Sequence, residues 1–83
     1  MSTDDLEIGD LLRALDDDVA IFSLGYSMIA DDSSLREGDI VVYMGLEPGF
    51  TDAYSIIVHR DVLVSIHNED VGDFRRFKRI SSL

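Results

Sequence analysis

Apolar residues in the first part of the chain recur at helical spacing. They occupy the i, i+3, i+4, i+7 and i+11 positions that share one face of an α-helix: Ile8, Leu11, Leu12, Leu15 and Val19. Asp4 is a suitable N-cap, and Glu7 in the first turn favours the positive end of the helix dipole. The pattern therefore predicts an amphipathic helix over residues 4–16.

From residue 19 onward the apolar pattern becomes strand-like. Two short runs rich in β-branched and aromatic residues, 19–24 and 26–30, are separated by a glycine and predict two strands. A helical continuation through residues 19–24 is the alternative. Polar residues then predict a loop over 31–34 and a turn over 35–39, which leads into a strand over 40–44.

The second half of the chain carries the clearest β pattern. Residues 54–59 and 62–67 are rich in β-branched residues, and the two polar residues between them predict a tight hairpin turn at 60–61. Upstream, the Pro-Gly pair at 48–49 predicts another turn, because proline presets φ and glycine accepts a positive φ. These signals favour short antiparallel strands.

The end of the chain predicts a polar turn over 68–73 and a final strand over 74–80, whose four cations mark it as a sheet edge. One N-terminal helix followed by about five short antiparallel strands predicts an α+β fold, built as a bent sheet or an SH3-like barrel. The 83 residues have room for one small domain, which we place at 1–83.

Charge is distributed unevenly along the chain. Residues 1–59 carry 13 acidic residues against two arginines, and residues 60–83 carry four acidic residues against five basic ones. The net charge of -10 predicts attraction to basic surfaces and repulsion from nucleic acid and anionic membranes. A hydrophobic content of 46% argues against disorder. Because the first residues lack the pattern of a secretory signal, we expect a cytoplasmic protein.

No motif in the sequence indicates catalysis or a cofactor. There is no cysteine, and the serines lack the surrounding residues of a catalytic nucleophile. The two histidines fall at opposite ends of the predicted hairpin, since a two-residue turn pairs His59 with Val62 and His67 with Tyr54. We therefore expect no metal, no cofactor and no enzymatic activity.

Residues 35–43, LREGDIVVY, resemble the opening strand of SH3-like barrel proteins, including the MazF-type toxins. The resemblance is confined to this segment and implies a barrel shape. The residues that follow lack the Arg-Pro pair of the toxins' second strand, and a strongly acidic body would repel an RNA substrate. The resemblance therefore implies no activity.

The C-terminal segment interleaves aromatic residues with cations, as some single-strand binders do. The cations are Arg75, Arg76, Lys78 and Arg79. Since the net charge opposes the approach of nucleic acid, we expect these cations to neutralise acidic groups of the chain itself, of a partner, or of a second copy in a homodimer.

Six aspartates in the predicted helix and loops form the predicted contact surface: Asp5, Asp16, Asp17, Asp18, Asp31 and Asp32. Carboxylates on a rigid surface can substitute for phosphates. We therefore expect a non-enzymatic nucleic-acid mimic that occupies the basic surface of a nucleic-acid-handling protein or complex. Small phage and mobile-element inhibitors, of the anti-CRISPR and anti-restriction kind, resemble this chain in size and charge.

The alternative is a small structural or adaptor module, or a housekeeping domain of a salt-accumulating organism, whose acidity serves solubility. The preference for aspartate, 13 of the 17 acidic residues, and the single lysine favour this alternative. Acidic residues clustered on one face would favour mimicry, whereas acidic residues spread evenly would favour solubility.

Overall fold

The computed structural model describes residues 5–24 and 34–81, without the side chain of Ser23, and this part of the chain is almost entirely β. Its seven strands are β1 (Leu11–Ala14), β2 (Val19–Ser23), β3 (Ser34–Leu35), β4 (Ile40–Leu46), β5 (Tyr54–His59), β6 (Val62–His67) and β7 (Phe77–Ser81). They form one antiparallel sheet in the order β3-β2-β6-β5-β4-β1-β7. A single-turn helix, α1 (Asn68–Val71), lies between β6 and β7, and no helix in the described part is long and apolar enough to cross a membrane.

Two short loops force the sheet to curl. β1 and β2 lie four strand positions apart, yet only residues 15–18 connect them, and β3 and β4 lie four positions apart with only residues 36–39 between them. Four strand spacings in a flat sheet span about 19 Å, whereas five extended residue steps reach about 17 Å. The sheet therefore curves into a half-barrel, which agrees with the barrel-like part of the sequence prediction.

The inner face of the half-barrel holds the core. Leu12, Ile57 and Ile66 are fully buried there, as is Phe77 from the edge strand β7. Val71 of α1 is also fully buried, so the segment between β6 and β7 contributes to the same core. This common core, and not the isolated hairpins, makes the short strands stable together.

The amphipathic helix predicted over residues 4–16 is wrong, and with it the α+β class. A turn occupies residues 8–9, and the chain then forms β1, which pairs with β4 on one side and β7 on the other. Gly9 has a φ of 100°, a left-handed conformation that does not occur inside a helix. Ile8 and Leu15, two members of the predicted apolar stripe, are exposed. Because β1 pairs along both edges, it provides hydrogen-bond partners for backbone groups of β4 and β7 that a helix at this position would leave unpaired.

Most other elements were predicted from local pattern. The strand over 19–24 is confirmed as β2, and its helical alternative is wrong; the strand over 40–44 is confirmed and extends through Leu46. The turn at 48–49 is also confirmed, since the N–H of Phe50 donates to the carbonyl of Glu47 at 2.9 Å. The strand predicted over 26–30 lies outside the described residues, as does Asp4.

The β5–β6 hairpin has the predicted register. His59 pairs with Val62, and Tyr54 pairs with His67, across a two-residue turn at 60–61. The predicted edge strand is also confirmed as β7, but it begins at Phe77 because residues 74–76 form a turn.

The hairpin turn stores backbone strain that a single substitution should release. Arg60 and Asp61 have φ values of 52° and 63°, as a type I′ turn requires, and glycine is favoured at its second position. We expect Asp61→Gly to raise the free energy of unfolding by about 0.5 kcal/mol, measured by urea denaturation. Asp61→Ala is the control, since it also removes the carboxylate but keeps the strain. A glycine variant no more stable than the alanine variant would contradict this prediction.

A candidate acidic contact surface

Curvature of the half-barrel brings residues 15–18 and 36–39 together, and we call these two segments the acidic loop pair. The main-chain N–H of Glu37 donates to Asp17 Oδ1 at 3.0 Å, across 20 positions of sequence. The N–H of Gly38 donates to the carbonyl of Ala14 at 2.8 Å, and the N–H of Ala14 donates to the carbonyl of Asp39 at 2.8 Å. These bonds hold the two loops side by side.

The first loop owes its shape to three consecutive aspartates. The N–H of Asp17 donates to Asp16 Oδ1 at 3.0 Å, a local hydrogen bond that aspartate commonly forms in turns. Asp18 has a φ of 60°, a left-handed conformation that aspartate tolerates better than most residues. All three side chains are exposed. Aspartate is therefore suited to this backbone, while the charges face solvent.

The acidic loop pair concentrates negative charge. Its carboxylates are Asp16, Asp17, Asp18, Glu37 and Asp39, and its only cationic side chain is Arg36. Within residues 5–24 and 34–81, no salt bridge involves the first four of these carboxylates. They are therefore open to the cations of a partner.

Asp39 fixes the second loop. Its Oδ2 accepts the N–H of Arg36 at 3.0 Å and lies 3.3 Å from His59 Nε2. The contact with His59 is a close approach and not an aligned hydrogen bond, since Nε2 has no hydrogen-bond partner in the described structure. The Arg36 N–H lowers the pKa of Asp39 more than burial raises it, and the nearby side chains of His59 and Arg60 lower it further.

A third segment, residues 72–76, lies beside the first loop, where the N–H of Leu15 donates to the carbonyl of Arg76 at 2.7 Å. Arg76 Nη1 lies 3.3 Å from Asp70 Oδ1, and Arg75 Nε lies 3.3 Å from Asp73 Oδ1. The N–H and the guanidinium of Arg75 lower the pKa of Asp73. The arginines of this neighbouring segment therefore pair with Asp70 and Asp73 and form no salt bridge with the carboxylates of the loop pair.

The cations predicted as a dimer or partner contact already have partners within the chain. Besides Arg75 and Arg76, Arg79 Nη1 lies 3.5 Å from Oδ2 of the buried Asp10. Of the four predicted contact cations, only Lys78 has no salt bridge within the described residues, and it is exposed. These contacts agree with the expectation that the cations neutralise the chain's own acidic groups. A role for them in a dimer or a partner contact stays a prediction.

The structure brings together only part of the predicted contact surface. The three consecutive aspartates lie together in one loop, but Asp5 precedes β1, which separates it from them. Asp31 and Asp32 lie outside the described residues. Glu37 and Asp39, which the sequence did not assign to the surface, take their place. No local signal could have found them, because their position depends on the pairing of β1 with β4.

Other groups that could carry chemistry are dispersed. The pairing of β5 with β6 places His59 and His67 at opposite ends of the hairpin. Among residues 5–24 and 34–81, no group of three or more His, Asp or Glu side chains is arranged to hold a metal ion. The acidic loop pair, in contrast, brings together four exposed carboxylates that take part in no salt bridge within the described residues.

The lowered pKa of Asp39 makes the stability of the protein depend on pH. Its carboxylate stabilises the fold at pH values above its unfolded pKa, and this contribution is lost as the pH falls through the lower, folded pKa. We expect Asp39→Asn to be less stable than the wild type near neutral pH, and the difference to shrink below about pH 4. Thermal melts over this pH range measure it.

The matched control for this prediction is Asp52→Asn, which removes one exposed carboxylate from a loop outside the acidic loop pair. It should show a smaller pH-dependent difference from the wild type. A loss of stability in Asp39→Asn that is the same at all pH values would contradict the assignment.

The functional evidence for this chain comes from its own residues. Comparison with known protein families, curated proteins and solved structures found no match. Geometry and charge therefore carry the functional argument.

Proposed function

We propose that this protein is a non-enzymatic binding protein whose acidic loop pair occupies a basic surface of a partner protein. The observation that carries the proposal is the hydrogen bond from the Glu37 N–H to Asp17 Oδ1, which places the carboxylates of two loops side by side. The four unpaired carboxylates are exposed, so a partner's lysines and arginines can reach them. The partner is a protein or complex that handles nucleic acid.

Carboxylates that hydrogen bonds keep in fixed positions are suited to binding a basic surface. Basic surfaces that bind nucleic acid are spaced for phosphates, and a rigid array of carboxylates can neutralise the same cations and release the same counterions. A loop already ordered by hydrogen bonds loses less conformational entropy on binding than a mobile one. Binding should therefore exclude nucleic acid and weaken steeply as salt rises.

The biological form of the function that we propose is inhibition, of the kind that phages and mobile elements direct at CRISPR and restriction systems. Both systems present basic channels to nucleic acid, which an acidic protein of this size could obstruct. The protein would bind neither nucleic acid nor a membrane, because its charge of -10 repels both. Inhibition requires no catalytic group.

Acidic side chains are not confined to the loop pair. Five others are exposed elsewhere in the described structure: Asp5, Glu7, Asp52, Asp61 and Glu69. This wider distribution favours the alternative function, a structural or adaptor module or a domain adapted to salt. The two functions differ in what they require, since mimicry depends on position and solubility depends on total charge.

Neutralising two positions of the first loop tests the proposal. The double variant Asp16→Asn and Asp18→Asn leaves Asp17 and its bond to Glu37 in place, and asparagine also tolerates the positive φ at position 18. It should displace labelled DNA from a CRISPR effector or restriction enzyme about fivefold less effectively than the wild type. Fluorescence anisotropy at low salt over a panel of such proteins measures the displacement.

The control is the double variant Glu7→Gln and Asp61→Asn, which removes the same charge from exposed positions outside the loop pair. It should displace DNA nearly as well as the wild type. If both double variants lose DNA displacement equally, the effect is due to net charge, and the loop pair is not the contact surface. A wild type that displaces DNA from no member of the panel would count against this class of partner.

Thermal stability at two salt concentrations separates mimicry from salt adaptation. Because the acidic groups accept main-chain hydrogen bonds at several positions, we expect a cooperative melt at low salt and only a modest increase of Tm in about 1 M KCl. Circular dichroism measures both melts. A protein that folds only in molar salt would favour environmental adaptation over mimicry.

A further inference from the structure

Four rings form one cluster on the outer face of the sheet, and we call it the aromatic cluster: Phe22, Phe50, Tyr54 and His67. Tyr54 lies at its centre, with ring centroids 6.0 Å from Phe22, 6.1 Å from Phe50 and 4.7 Å from His67. Phe22 and His67 are in contact at 5.2 Å. The rings come from β2, β5, β6 and the loop after β4, so the fold and not the sequence assembles them.

The cluster is open to solvent at one side. Phe50 is 49% exposed, and the other three rings are half-buried. The loop that carries Phe50 is fixed, because Asn68 Nδ2 donates to the carbonyl of Thr51 at 3.0 Å and the Asn68 N–H donates to the carbonyl of Ala53 at 2.8 Å. The exposed ring is therefore held in position before any partner arrives.

The loop that carries Phe50 is acidic. Between β4 and β5, residues 47–53 contain two acidic residues, Glu47 and Asp52, and neither lysine nor arginine, and no salt bridge within the described residues involves the exposed Asp52. Glu47 is only 7% exposed, and its Oε1 accepts the hydroxyl of Ser65, whose strand neighbour on β2 is Phe22. Ring faces attract cations, and the exposed carboxylate of Asp52, two residues from Phe50, adds to this attraction.

We propose that the aromatic cluster binds an arginine side chain of the partner. Arginine fits better than lysine, because its planar guanidinium stacks on ring faces and is more weakly hydrated. This inference deepens the proposed function and rests on its basic partner, but it concerns a different surface from the acidic loop pair. An arginine at the cluster and cations at the loop pair would together fix the orientation of the partner.

The experiment is an NMR titration with a short capped peptide of alternating glycine and arginine, and with the same peptide carrying citrulline, the neutral isostere of arginine. The arginine peptide should shift the signals of Tyr54 and His67 saturably, and the citrulline peptide should not. Phe50→Leu keeps apolar contact but removes the ring, and should weaken arginine binding at this site about threefold. Phe74→Leu is the matched control, since Phe74 is an exposed phenylalanine outside the cluster, and it should bind as the wild type does.

Two results would overturn the inference. One is equal binding by the Phe50→Leu and Phe74→Leu variants, and the other is an equal response to the citrulline peptide. Thermal melts of both variants show that the fold is retained, and a destabilised Phe50→Leu is replaced by Phe50→Met in the same titration.

The double variant Asp16→Asn and Asp18→Asn separates this inference from the proposed function. If the cluster binds arginine, shifts at Tyr54 and His67 persist in that variant. Loss of these shifts in the double variant would mean that the loop pair alone binds the peptide, which overturns the inference and leaves the proposed function standing. If the shifts at Tyr54 and His67 persist but the wild type displaces no DNA, the arginine site is upheld and the result counts against the proposed function.

Discussion

The arrangement of this molecule depends on the short reach of two loops. Residues 15–18 and 36–39 each join strands that lie four positions apart in the sheet, so the sheet must curve until those strands approach each other. The same curvature creates the inner face that Leu12, Ile57 and Phe77 fill. It also places the loops against each other, with Glu37 bonded to Asp17. The core and the acidic surface are therefore two consequences of one constraint.

A chain this acidic must limit the repulsion among its carboxylates, and it does so largely through its own backbone. Main-chain N–H groups donate to the carboxylates of five aspartates: Asp10, Asp16, Asp17, Asp39 and Asp73. Such bonds order the turns in which aspartate sits. This explains why aspartate serves better than glutamate in these turns. The excess charge is thereby concentrated in loops and kept out of the strands, where side chains pack closely.

The elements predicted from the sequence are those whose conformation neighbouring residues determine. The β5–β6 hairpin was predicted because its two-residue turn fixes the register. The strand β1 was not predicted, because the Leu-Leu-Arg-Ala sequence at 11–14 suits a helix or a strand. Its pairing with β4 and β7 determines that it is a strand. The aspartates at 16–18 were visible from composition, but Glu37 joins them only through the closed sheet. The aromatic cluster was not predicted for the same reason, because its rings come from separate strands and a loop.

Closure of the half-barrel holds the acidic loops in one fixed arrangement. Amide hydrogen exchange by NMR can measure this at the N–H groups of Glu37, which bonds to the first loop, and of Gly38, which bonds to the end of β1. We expect exchange about tenfold or more slower than in an unstructured peptide, with Glu37 protection lost in Asp17→Ala and retained in Asp17→Asn. Exchange of both groups at the unstructured rate in the folded wild type would contradict it, since the loops would then not be held together.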